Sequence, residues 1–129
     1  KPSVAAFCPW SPNDTDKYTQ AGVDRCNRQA LQWVQYCVTN QIIPALITPA
    51  PVNGLTTGEE GFRRQVVQYV KALCATSVAV LLDRDSVYTD YSSASGGFKA
   101  GLNSTTLHPN GTGYALEGQL WTSVLSNIL

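Results

Sequence analysis

Three short apolar runs punctuate the chain: Val4-Ala5-Ala6-Phe7-Cys8, Ile42-Ile43-Pro44-Ala45-Leu46-Ile47 and Val78-Ala79-Val80-Leu81-Leu82. None alternates strictly between apolar and polar residues. Continuous runs of this length suit strands covered on both faces, as in a parallel sheet. Pro44 fits a strand beginning better than a mid-sheet position. Between the runs the period changes. From Asp14 to Asn40, apolar residues at Val23, Cys26, Ala30, Leu31, Val34, Cys37 and Val38 fall on one helical stripe. Thr57-Gly58-Glu59-Glu60 reads as a capping box opening a second helix, with Phe62, Val66, Val67, Val70 and Leu73 on its inner side. A third helical stripe runs from about Gly113 through Leu116, Leu120, Trp121, Val124, Leu125 and Ile128. The stretch from Tyr88 to Ser104 is rich in Ser, Gly and Thr and reads as a long functional loop.

The order strand, helix, strand, helix, strand, loop, helix predicts a layered α/β fold with right-handed crossovers. Ligands of such folds bind beyond the carboxyl ends of the strands. That rule directs the search for chemistry to Pro9–Thr15, Thr48–Leu55 and Arg84–Gly111.

Composition narrows the classes. The 129 residues fit one domain, and 43% hydrophobic content is enough for a packed core. Nine Lys and Arg balance nine Asp and Glu. That leaves no electrostatic footprint for nucleic acid and no basic run for a membrane surface. No apolar run approaches the ~20 residues of a membrane span. The chain has no Met, so it is expected to be processed or to be an excerpt of a longer protein. Cys8, Cys26, Cys37 and Cys74 match no zinc spacing, and no metal or cofactor is expected. One helix would hold Cys26 and Cys37 about 16 Å apart, beyond the ~4.4–6.8 Å of a disulfide. Buried free thiols are the expectation, with a bridge from Cys8 or Cys74 to a helix as the alternative. Sequons at Asn13, Asn103 and Asn110 matter only in a eukaryotic secreted protein. No Gly-rich phosphate loop follows any strand, which disfavours a nucleotide-binding module.

His108 is the only histidine. Pro109 restrains it toward extended backbone, and Asn110-Gly111 marks a turn before the last helix. An imidazole held on such a turn suits proton transfer near neutral pH. Asn13, in Ser11-Pro12-Asn13-Asp14, has two readings. It can cap the following helix, as can Asp14 or Thr15, or its carboxamide can donate to a developing oxyanion.

Taken together, Ser11-Pro12-Asn13-Asp14, Thr48-Pro49-Ala50-Pro51 and Leu107-His108-Pro109-Asn110-Gly111-Thr112-Gly113-Tyr114 resemble the motifs of the SGNH hydrolases, the GDSL-type esterases and lipases. The resemblance implies Asn13 as an oxyanion donor and His108 as the base. It departs at Ser11, where the family has Gly, and at Thr105, where the family's catalytic acid precedes the His. Thr105 or an Asp of the preceding loop, Asp85 among them, then serves as the orienting group. The family's Gly-Asp-Ser nucleophile block has no counterpart before Lys1, and Asp83-Arg84-Asp85-Ser86, which resembles it superficially, lacks the Gly, so Ser86 is a weak nucleophile candidate. The resemblance therefore implies a three-layer, flavodoxin-like parallel sheet that is incomplete. Residues 1–129 would be the C-terminal part of the domain, strands three to five with their helices. The implied partners are the N-terminal half of the domain and an acyl or acetyl ester carried on carbohydrate or lipid. Trp10, Tyr91 and Phe98 are the expected substrate-stacking residues, with Tyr88 beside them, and an extracellular setting is expected. The alternative is a non-catalytic carbohydrate-binding or structural module of the same fold.

Overall fold

The computed structural model describes residues 2–129. Strand β1 spans Val4–Phe7, β2 spans Ile43–Ile47 and β3 spans Val80–Leu82. They form a parallel sheet in the order β1-β2-β3. The connecting helices are α1 (Gln20–Thr39) and α2 (Thr57–Thr76), which pack on each other and on the sheet. A short α3 (Arg84–Tyr88) follows β3 directly, and α4 (Gly111–Leu125) packs on β3 and α3. This is the expected α/β arrangement of a small parallel sheet flanked by helices. It is incomplete in the sense that, among the described residues, β1 pairs only with β2 and forms one edge of the sheet.

The core lies between the sheet and the two long helices. Val23, Cys26, Ala30 and Val34 of α1 and Val66 and Val70 of α2 close over Leu46 of β2. Leu31 and Val38 leave the expected stripe and stay exposed. All four thiols are free. Pro44 sits in the central strand without cost. Ile43 N–H donates to Ser3 O at 2.8 Å, so alternate residues of β2 face β1 and Pro44 faces β3. The β2–β3 pairing starts only at Ala45–Val80, so no acceptor awaits the missing N–H.

Two helix starts differ from expectation, for identifiable reasons. Helix α1 begins at Gln20, not Asp14, and its N-cap is Thr19, whose hydroxyl accepts from Gly22 N–H at 3.0 Å. Arg25 holds the preceding turn through Asp16 (2.6 Å) and Asp14 (3.2 Å). The backbone of Asp16 comes so close to Gly22 that a Cβ there would sit 2.0 Å from its carbonyl oxygen. The capping box of α2 is Thr56 with Glu59, one residue earlier than Thr57 with Glu60. Glu60 turns inward instead, to meet Arg63.

Arg63, Glu60 and Asp85 form a fully buried charge cluster. Arg63 donates to Glu60 through Nε and Nη2, to Asp85 and Pro49 O through Nη1, and to Thr89. Burial disfavours the Asp85 carboxylate, but hydrogen bonds from Tyr91 and Thr89 and the Arg63 charge outweigh it and hold the carboxyl below its ordinary range. The cluster ties α2 to α3 and, through Pro49, to the segment leaving β2.

Candidate active site

A cleft of about 280 Å³ opens beyond the carboxyl ends of the strands, where an α/β sheet is expected to bind ligands. Its walls come from all three segments singled out in the sequence. Cys8, Trp10, Pro12 and Asn13 follow β1, Ala50, Pro51 and Val52 follow β2, and Arg84, Leu107, His108, Pro109 and Tyr114 come from the last part of the chain. Asn13 and His108 thus share one cleft.

Asn13 is exposed, and the helix cap is Thr19. Asp14 is engaged as well, accepting from Ser11 N–H at 3.1 Å and from Arg25. The Asn13 backbone N–H donates to Ser11 Oγ at 3.1 Å, while its carboxamide has no partner among the described residues. A carboxamide relieved of capping is free to donate its NH₂ into the cleft.

His108 is held by a compact turn. Its carbonyl accepts from Ser104 N–H at 2.9 Å, and Asn103 pairs with Pro109 across the turn. Thr105 Oγ1 lies 3.0 Å from His108 Nδ1 and accepts the N–H groups of His108 (3.0 Å) and Leu107 (3.2 Å). Asn110 caps α4 by accepting from Gly113 N–H at 3.0 Å and donates to Gly101 O at 2.6 Å. Gly113 has no room for a side chain, since a Cβ would meet Leu102 O at 2.6 Å. The turn carrying His108 is therefore fixed from both ends.

Several other residues do not take the expected places. Asp85 lies in the buried Arg63 cluster, not beside the imidazole, so it cannot orient His108. Phe98 is buried edge-on against Tyr88 at 5.6 Å and lines no part of the cleft. Tyr88 is buried too, its one hydroxyl proton shared between Glu117 Oε2 at 2.6 Å and Gly113 O at 2.9 Å. Tyr91 is exposed but tethered: its hydroxyl donates to Asp85 and its ring lies beneath Arg64. Trp10 does line the cleft, but at 5% exposure it offers little stacking face. Ser86 faces Asp83 and Lys71.

The structure adds two cleft residues that sequence reasoning missed. Arg84 is the one cation of the lining, paired with Glu117 at 2.7 Å and set over the Tyr88 ring. Tyr114 is half exposed at the mouth. The signal for Arg84 was its place directly after β3, and that for Tyr114 its place at the end of the Leu107–Tyr114 stretch. Cys8 also faces the cleft, but its thiol donates to Trp10 O at 3.3 Å and burial pushes its pKa up. A thiol kept protonated is a poor nucleophile. The lining contains no Ser or Thr. Among the described residues, no cluster of His, Cys, Asp and Glu can hold a metal ion, and no helix is long and apolar enough to cross a membrane.

No family model matches the chain, and no curated protein matches it. Solved structures do share its architecture. A candidate acylhydrolase from Bacteroides fragilis superposes with a TM-score of 0.77 at 17% identity, over 99% of this chain and 64% of its own. A candidate lipolytic protein of the G-D-S-L family from Desulfitobacterium hafniense superposes with a TM-score of 0.67 at 23% identity, over 96% of this chain and 66% of its own. The α/β fold of this chain is thus also found in these two proteins, and the chain spans about two thirds of the length of each.

Proposed function

We propose that this chain forms the proton-transfer and oxyanion-binding side of a serine-dependent ester hydrolase of SGNH type. Its nucleophilic serine would enter from an N-terminal part of the same domain, seated beside the open edge of β1. The observation that carries the reading is the meeting of Asn13 and His108 in one cleft at the carboxyl ends of the strands. The unpaired β1 edge and the greater length of the fold neighbours support the missing part.

In this reading the serine Oγ attacks the ester carbonyl while His108 takes its proton. The carbonyl oxygen becomes an oxyanion and accepts from the Asn13 NH₂, a donor worth about 3 kcal/mol of barrier. Collapse of the tetrahedral species expels the alcohol, which leaves with the proton from His108. Water then attacks the acyl-serine by the same steps, releasing the acid and restoring the serine. Substrates are acyl or acetyl esters on carbohydrate or lipid, with Arg84 and Tyr114 supplying polar contacts at the mouth.

Thr105 favours a second reading, a binding module without turnover, because a neutral hydroxyl meets His108 Nδ1 and brings no charge to stabilise imidazolium. One experiment separates the two. Protein carrying the residues upstream of Lys1 is assayed with p-nitrophenyl acetate, with and without His108→Ala. Loss of hydrolysis in the variant supports the esterase, and equal rates overturn it.

A further inference from the structure

The hydrogen bonds around Thr105 determine where the His108 proton sits. A threonine hydroxyl has one proton to give and two lone pairs with which to accept. Both lone pairs of Thr105 Oγ1 are taken, one by His108 N–H at 3.0 Å and one by Leu107 N–H at 3.2 Å. These donors are backbone amides and cannot reverse their role. The third contact of the same oxygen is His108 Nδ1 at 3.0 Å. Only the hydroxyl proton remains for it, so Thr105 donates and Nδ1 accepts. An accepting Nδ1 in a neutral imidazole requires the proton on Nε2.

We propose that Thr105 is a positioning residue that holds His108 as its Nε2–H tautomer, so that the imidazole presents a hydrogen-bond donor, not a base, to the cleft. The inference deepens the hydrolase reading and rests on it for its catalytic meaning. Taking a proton from a serine at Nε2 needs the opposite tautomer, with Nδ1 protonated. A carboxylate at position 105 would enforce that opposite state, because it can only accept. Thr105 therefore sets the cleft at rest for holding a carbonyl or another acceptor, and turnover passes through the disfavoured tautomer.

The test is long-range ¹H–¹⁵N NMR of the imidazole, recorded at a pH where the ¹⁵N shifts themselves show the ring to be neutral. The chain as it stands should show a protonated Nε2 and a bare Nδ1. Thr105→Ser, which keeps the hydroxyl, should reproduce that pattern, and Thr105→Asp should move the proton to Nδ1. A protonated Nδ1 in the wild-type chain, or an even mixture of tautomers, overturns the proposal. So does an unchanged pattern in Thr105→Asp. In protein carrying the upstream residues, Thr105→Asp should also raise kcat for p-nitrophenyl acetate by about two orders of magnitude with little change in KM. A proton that moves without any gain in kcat supports the tautomer assignment and counts against the hydrolase reading instead.

Discussion

Arg63 Nη1 meets Asp85 Oδ1 at 3.0 Å, and neither side chain is exposed. The same nitrogen donates to Pro49 O at 2.8 Å, at the head of the Ala50-Pro51-Val52 wall of the cleft. Buried charge and cleft shape are therefore coupled through one side chain. Arg63→Ala leaves Asp85 with only Lys71, at 3.4 Å, and Glu60 with only the half-buried Arg64. Removing one partner of a buried ion pair costs about 3–5 kcal/mol. The urea midpoint should fall accordingly, and a change under about 1 kcal/mol would show that the cluster is not buried in solution.

Asp85 also gives the chain an acid limit. Its folded pKa lies below the ordinary carboxylate value, so the native state binds fewer protons there than the unfolded chain. The stability this contributes is fully present above the unfolded pKa of about 4. It is lost as pH falls from there through the lower folded value. Denaturation midpoints measured downward from pH 6 should decline from about pH 4, and Asp85→Asn should flatten that decline while lowering stability at neutral pH. An equally steep decline in the variant would assign the acid limit to other carboxylates.

Thr19 caps α1, so Asn13 and Thr19 should separate cleanly under mutation. Thr19→Ala removes the acceptor for Gly22 N–H and should cost about 1 kcal/mol of stability. Asn13→Ala touches no cap, and its stability should stay within about 0.5 kcal/mol of wild type. In protein carrying the upstream residues, Asn13→Ala should instead lower kcat by about 10²–10³. A loss of stability with unchanged kcat would return Asn13 to a structural role.

The strands, their parallel order and the location of the cleft were legible in the sequence because each depends on local patterning. Val4–Phe7, Ile43–Ile47 and Val80–Leu82 lie within the three apolar runs. The misjudged features depend on partners distant along the chain. Thr56-x-x-Glu59 and Thr57-x-x-Glu60 are equally good capping boxes on paper, and only the burial of Glu60 beside Arg63 chooses between them. Asp85 reads as a loop acid near His108, yet it is drawn inward by Arg63 from the middle of α2. Phe98 reads as a loop aromatic, yet Asn53 accepts from its N–H at 2.7 Å and Tyr88 packs on its ring. The start of α1 moved because Arg25 organises the turn ahead of it.

The free edge of β1 gives a prediction that tests the proposed N-terminal part. Ser3 O accepts from Ile43 N–H, so alternate residues of β1 bond to β2, and Val4 and Ala6 turn their backbone groups to the open side. Ala6 is exposed and, among the described residues, has no neighbouring strand there. Proline at this position removes an N–H that β2 does not use. In the chain as it stands, Ala6→Pro should cost little beyond the strain of fitting the ring. If an upstream strand pairs with this edge, the same substitution removes a ladder hydrogen bond and crowds the incoming backbone. In the longer protein it should therefore cost about 1–3 kcal/mol more than in the short chain. Paired urea titrations of both lengths measure the difference. Equal costs would mean that the upstream residues leave this edge open, and the serine would have to reach the cleft by another route.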